Sequence, residues 1–358
     1  MQVGELPKDN IFYVGQYGTS GYATAAKGYI SKYILDGYNI EWHPLKFDDT
    51  TLDDSNSYNS LAKTVINKKH EHYDLFIYHS TPDLWKNFNR KFQQINKYKQ
   101  VVGYTTWETD TLPVNWVMNI NNEASEVWCP STYNKDVFQN SGVIIPIKVV
   151  PHVFLKNQLP QKSEVNLSSF DGTSISNNFI GYTFYFIGEL TPRKGIEDLI
   201  SVYDKTFSDT DNVRLIIKTH YKNYNLKNRQ YCIDSINRMM SHISSNKRIH
   251  FIIDNISDLD IYGLHSIGDC YVSLTKSEGF GLTVFDAFNY GKEIITTGYG
   301  GHMDFLGKDW NGLVDYKLDY VSGMDSFSKN YNSQSKWAYP NLNHASELML
   351  KFYKYEQF

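Results

Sequence analysis

Two runs of alternating strand-like and helix-like segments, separated by a polar stretch, leave this chain few folds to choose from. Asn10–Val14 reads as a strand and opens onto a glycine loop, Gly15, Gly18 and Gly21. Tyr22, Ala26, Tyr29, Ile30, Tyr33 and Ile34 then recur at helical spacing, with Ser20 placed as a cap. Tyr73–His79 reads as a strand, Pro82 starts a helix to about Gln94, and Gln100–Tyr104 returns to strand. Glu126–Cys129 precedes a helix capped by Ser131, and Ile147–His152 closes this half. Residues 156–180 are rich in Ser and Asn and lack periodicity, which predicts a linker or mobile loop. The alternation then restarts with strands at 183–188, 213–218, 249–253, 270–274 and 293–297, and with helices between them. Repeated βα units predict parallel sheets covered by helices. The expected architecture is α/β, with Rossmann-like lobes at 1–155 and 181–341 and a terminal helix within 342–358.

The stretch Lys276–Gly291 carries the most chemistry. It reads as the end of a strand, a glycine turn and a helix on which Leu282, Phe285 and Phe288 keep helical spacing. Gly279 and Gly281 let backbone approach a ligand and leave free N–H groups at a helix N-terminus, which suits a phosphate. Glu278 stands at the strand's C-terminal end, where open α/β sheets bind ligands. Asp286 lies one turn into the helix and leans back toward the same place. Two carboxylates beside an anion site accept hydrogen bonds from neutral hydroxyls, as on a sugar and a ribose. In Phe186–Gly195 a strand end is followed by two adjacent cations, Arg193 and Lys194, before a helix. Such a pair neutralises a diphosphate and stabilises it as a leaving group. The first glycine loop misses the dinucleotide fingerprint because position 17 is Tyr. Asp209-Thr-Asp211 lies between a helix and a strand, so it reads as turn chemistry rather than a metal motif.

Glu278 through Asp286 resembles the E-x7-E signature of retaining glycosyltransferases with the GT-B fold, similar to family 4 in the group 1 glycosyl transferases. The resemblance implies two Rossmann-like βα lobes facing each other across a cleft. It implies that Glu278 contacts donor-sugar hydroxyls and that Gly279, Phe280, Gly281, Leu282 and Thr283 hold sugar and diphosphate. The second acid, which binds the ribose, is here Asp286, one methylene shorter than the family's Glu. Gly188, Lys194 and Gly195 match a second motif of the family, but Glu189 takes the place of its arginine. Arg193 would then supply that charge from another direction. Gly18 and Lys218 are further donor-side candidates. Trp107-Glu108 resembles a Trp-Glu pair of some of these enzymes; Glu108 either binds a sugar or orders its turn. Trp107 and His79 are acceptor-side candidates, although a lone His at such a strand end is more often a structural hydrogen-bonded residue than a catalyst. Thr297–Leu306 resembles the family's next glycine turn, and the last helix would pack back across the first lobe.

The expected activity is metal-independent, retaining transfer from a UDP- or GDP-sugar to a glycan or small hydroxyl acceptor, without cofactor. An epimerase on the same architecture and a non-catalytic sugar binder are the alternatives. A net charge of −4 gives no electrostatic footprint for nucleic acid. Three cysteines, Cys129, Cys232 and Cys270, are few and odd in number, as in a reducing, cytoplasmic setting. The N-terminus shows no signal-peptide pattern, and Gly142–Phe154 is too short to span a bilayer. Peripheral membrane contact and oligomeric state stay open.

Overall fold

The computed structural model describes residues 9–47, 52, 56–96, 100–243, 248–324 and 328–355, and it divides into two compact units. One holds residues 1–107 with 111–155; the other holds 156–358 and the short excursion 108–110.

In the first unit the strands are β1 (Asn10–Gln16), β2 (Asn39–Leu45), β3 (Leu75–His79), β4 (Gln100–Tyr104), β5 (Glu126–Cys129) and β6 (Ile147–Val149). The helices are α1 (Gly21–Leu35), α2 (Ser57–Lys63), α3 (Trp85–Asn96), α4 (Val114–Glu123) and α5 (Thr132–Asn140). Among the described residues the strands form one parallel sheet in the order β2-β1-β3-β4-β5-β6. The expected caps are present: the Ser20 side chain accepts from Ala23 N, and that of Ser131 from Asn134 N. Residues 11–14 of β1 are all buried, as a strand covered on both faces should be. Tyr13, Tyr29, Trp42, Ile77 and Tyr104 fill the core between α1 and the sheet, so the aromatic surplus is largely interior.

The second unit begins with a two-stranded antiparallel hairpin, β7 (Leu167–Ser168) and β8 (Ser174–Ile175). Its main strands are β9 (Tyr182–Glu189), β10 (Val213–His220), β11 (Ile249–Ile252), β12 (Cys270–Ser273), β13 (Glu293–Thr297) and β14 (Leu313–Val314). The helices α6 (Ile196–Thr206), α7 (Leu226–Met240), α8 (Asp258–Ile267), α9 (Leu282–Asn289) and α10 (Met303–Leu306) alternate with them. An antiparallel pair, β15 (Tyr316–Tyr320) and β16 (Lys336–Pro340), and a last helix, α11 (Leu342–Tyr355), complete it. The main sheet is parallel, in the order β11-β10-β9-β12-β13-β14. Alternate residues of β9 face opposite cores. Phe184 and Phe186 join α6, α7 and α11, while Tyr185 and Ile187 join α8 and α9.

That strand order positions the site. The chain runs outward from β9 through β10 to β11, then returns to the other flank of β9 as β12. The loops that follow β9 and β12 therefore leave the same edge in opposite directions, at the switch point where open α/β sheets bind ligands.

One expectation needs correcting. Residues 156–180 are not simply a linker or mobile loop, because Val165, Leu167 and Ile175 are buried in the second unit's core. In the last helix, Ala345, Leu348, Met349, Phe352 and Tyr353 lie in the core of that unit.

Candidate functional site

The loop after β9 makes a 3-10 turn at Pro192–Lys194 and ends on Gly195, whose φ is +65°. A Cβ on Gly195 would stand 2.2 Å from Leu274 O, so the loop lies directly against the end of β12. Lys276 N donates to Arg193 O at 2.7 Å, which joins the two loops by their backbones. Side chains complete the junction. Lys194 Nζ is 2.5 Å from Glu278 Oε1, and Arg193 Nη1 is 3.0 Å from Glu278 Oε2. Arg193 Nη1 also donates to Ser277 O at 2.7 Å, and Thr275 Oγ1 donates to Glu278 Oε1 at 3.0 Å.

The electrostatics follow from burial working against charge. Burial alone would push the Glu278 carboxyl up, but Lys194 and Arg193 outweigh it and hold the group at about 2. Glu278 is therefore an anion across the physiological range. Burial also opposes the Arg193 charge, yet Glu278, with Tyr331 and Glu108 nearby, keeps the guanidinium firmly protonated. On its far side Arg193 Nη2 is 3.5 Å from Glu108 Oε1, and the Tyr331 hydroxyl donates to Glu108 Oε2 at 2.9 Å. Burial raises the Tyr331 phenol well above its ordinary value, so it donates rather than ionises. The turn of Glu108 is fixed by Asp110, whose Oδ1 accepts from Lys336 N at 2.7 Å.

A third loop, after β13, closes on Glu278 from its backbone side. Gly301 N donates to Glu278 O at 2.7 Å. Gly300 has φ +116°, and a Cβ there would come within 2.7 Å of Glu278 O, so this contact requires glycine. His302, fully buried, sits beside Gly281 at the start of α9. Its Nε2 is 2.7 Å from Thr297 O; a carbonyl only accepts, so Nε2 carries the hydrogen. Burial lowers the His302 pKa, leaving a neutral ring.

Asp286 is partly buried on α9, and burial pushes its carboxyl up to about 7. Glu278 and Asp286 both act on the buried Tyr271 phenol, whose hydroxyl is 2.7 Å from Thr283 Oγ1. Glu189 ends β9 within the field of Arg193 and Lys194. Its Oε1 accepts from Lys222 N at 3.2 Å, and burial raises its carboxyl.

The structure therefore gathers Lys194, Arg193, Glu278 and Glu108 into one network, with Gly279–Thr283 and Asp286 directly following. Phe280 is buried, its ring packed against Phe285 and Phe305. Lys218 is engaged elsewhere: its ammonium meets Tyr224 OH at 3.3 Å and Thr219 O at 3.4 Å, and burial lowers it to about 8. Gly18, Trp107 and His79 belong to the first unit. Gly18 has open space around its Cα, at φ +138°. Trp107 is a core ring that packs edge-on against Trp116 and donates to Thr111 O. His79 Nδ1 is 2.6 Å from Tyr13 OH, and burial holds the ring neutral. Asp211 accepts from Ser208 N and Oγ within its turn, as turn chemistry requires. Sequence reasoning missed Tyr331, Thr275 and His302. Tyr331 acts across the fold on Glu108, while Thr275 and His302 act on Glu278 and Thr297 within their own loops, where a lone Thr or His carries no distinguishing pattern.

Residues 180–340 match the family model described as Glycosyl transferases group 1. No curated protein matches the chain. Among solved structures, HepE of Anabaena in complex with UDP-glucose is similar with TM-score 0.59 and 16% identity, over 85% of each chain. Sucrose-phosphate synthase from Thermosynechococcus elongatus gives TM-score 0.58 and 12% identity, over 98% of this chain and 96% of that one. A glycosyltransferase from Rickettsia africae ESF-5 gives 0.56 and 13%, over 97% and 95%. These likenesses show the GT-B type of fold, two Rossmann-like α/β units, and the family match over residues 180–340 supports glycosyl transfer as the class of activity. Among the described residues no helix is long and apolar enough to cross a membrane.

Proposed function

With residues 180–340 matching the group 1 glycosyl transferases, we propose that this chain moves a sugar from a nucleotide-diphosphate sugar to a hydroxyl acceptor, with retention and without a metal ion. The observation that carries the reading is the buried junction at the switch point, where Lys194 and Arg193 converge on Glu278. An incoming diphosphate offers these cations a second set of anionic oxygens. Glu278 is then free to accept hydrogen bonds from hydroxyls of the sugar, and Asp286 from the ribose. The bond between the sugar's anomeric carbon and the β-phosphate oxygen breaks, and the acceptor oxygen bonds that carbon from the same face. The acceptor's proton passes to the departing phosphate. This is not the two-carboxylate scheme of glycosidases. Lys194 and Arg193 do the charge neutralisation that a metal ion performs in other transferases. The first unit would bind the acceptor, which is a glycan or a small hydroxyl compound.

The test is a thermal-shift and donor-hydrolysis panel of UDP-, GDP- and ADP-sugars in EDTA, with wild type and Glu278→Ala. UDP-glucose, which HepE binds, is the first donor to try. One nucleotide class should stabilise the wild type and be consumed in an acceptor-dependent way despite EDTA. Glu278→Ala should still respond to the nucleotide but lose discrimination between sugars. Loss of turnover in EDTA would refute metal independence. Glu189, standing where the family has arginine, favours a second reading as a non-catalytic sugar binder; stabilisation without consumption of any donor would support it.

A further inference from the structure

We infer that Tyr331 and Glu108 are positioning residues that set the direction of the Arg193 guanidinium; the inference rests on the proposed transfer reaction and goes beyond it. A guanidinium is a rigid planar fork, so holding it at both ends fixes where its remaining N–H groups point. Arg193 is held in this way. One end, Nη1, meets Glu278 Oε2 at 3.0 Å and Ser277 O at 2.7 Å. The other end, Nη2, faces Glu108 Oε1 at 3.5 Å. Glu108 is in turn held by the Tyr331 hydroxyl at 2.9 Å, a contact between residues 223 apart in sequence. The Tyr331 ring is itself lodged against the small core of Val321, Met324 and Trp337.

The arrangement has a chemical purpose. Lys194 already lies 2.5 Å from Glu278 Oε1, and without a second tether Arg193 would turn wholly onto the same carboxylate. Both site cations would then neutralise one anion and leave none directed at a leaving group. Glu108 draws one edge of the guanidinium away from Glu278, and Tyr331 keeps Glu108 at the distance where it steers without capturing. A donor dipole oriented in advance needs no reorganisation when charge develops on the leaving oxygen, which is why positioning shows in turnover more than in binding.

A double-mutant cycle tests this. Tyr331→Phe keeps the packed ring and removes the hydroxyl. It should lower kcat about tenfold, the scale of one hydrogen bond to a charged group, while the donor KM stays within about twofold. Glu108→Gln should also lower kcat without raising the donor KM, because it removes a rival of the diphosphate. In an Arg193→Ala background, adding Tyr331→Phe should change kcat by less than about twofold, since the group it positions is gone. Wild-type turnover in Tyr331→Phe, or losses that multiply in the double variant, would overturn the inference. The same cycle between Tyr331→Phe and Glu108→Gln, read on denaturation midpoints, reports the link itself. Additivity there overturns it even if the wild type consumes no donor, an outcome that would separately sink the transferase reading.

Discussion

Lys194→Ala should separate two roles that the structure gives to one side chain. Glu278 is held at about 2, whereas a free glutamate titrates near 4.3, a depression worth on the order of 3 kcal/mol at neutral pH. A depressed folded value means that this stability is present above about pH 4.3 and lost as pH falls toward 2. Lys194, at 2.5 Å, contributes more to it than Arg193. Removing the lysine leaves a buried carboxylate with one cation, at a cost of about 2–3 kcal/mol at pH 7, below the full penalty for orphaning a buried charge. Denaturation midpoints of wild type, Lys194→Ala and Lys194→Ala/Glu278→Gln at pH 7 and pH 3 measure it. The single variant should melt several degrees low at pH 7, and the gap should narrow at pH 3, where its carboxyl is protonated. The double variant should regain most of the stability, because no unpaired charge is left, while both remain severely impaired in turnover. A double variant as unstable as the single one would show that the loss lies in packing rather than charge. Near-wild-type turnover in Lys194→Ala would remove the lysine from the chemistry.

Three further outcomes follow from the same site. Asp286 has a folded value raised to about 7 against an ordinary value of ~3.9, so its penalty is absent below about pH 4 and grows as pH rises through 7. Asp286→Asn should therefore melt above wild type at pH 8 and with it at pH 4; coincident melts at pH 8 would show that burial does not burden the acid. Gly195→Ala puts a Cβ 2.2 Å from Leu274 O at φ +65° and should cost about 2 kcal/mol or more, with turnover falling as the cation loop shifts. A variant as stable and active as wild type would contradict that close approach. Glu189→Gln removes a negative charge from beside Arg193 and Lys194 and should lower the donor KM by ~2- to 5-fold in low salt, less in high salt. A salt-independent KM equal to wild type would mean that Glu189 faces away from the diphosphate.

What the sequence showed and what it hid divide along local and distant interactions. Strands β9 and β12, the Ser20 and Ser131 caps and the helix after Gly281 were legible because apolar runs and caps are properties of neighbours along the chain. Strand β2 was not. It contains Pro44 and the buried Glu41, which the Tyr73 hydroxyl satisfies, and it tolerates the proline because it lies at the sheet edge. Helix α4 was hidden because Val114 and Met118 are exposed, which blurs its apolar stripe. In the site, Glu278, Arg193 and Lys194 could be named from motifs, but their shared junction depends on β9 and β12 being neighbours. Tyr331 was beyond reach for the same reason, since a single tyrosine in a polar stretch carries no signal until the fold sets it beside Glu108.

The crossing of the third loop over Glu278 has an evolutionary consequence. Gly301 N holds Glu278 O, and Gly300 leaves no room for a side chain against the same residue. Substitutions in the loop at 298–302 are therefore coupled to the acid at 278 through backbone, even when their side chains point elsewhere. Under the proposed transfer reaction, a lineage changing its donor sugar would have to change positions 300 and 301 together with 278, because a side chain at 300 displaces the backbone of the acid. Epistasis should be strongest between these loop positions and 278, and weak between 278 and the solvent-facing residues of α6. Recombination of whole loops would be the more accessible path to a new specificity than accumulation of point changes.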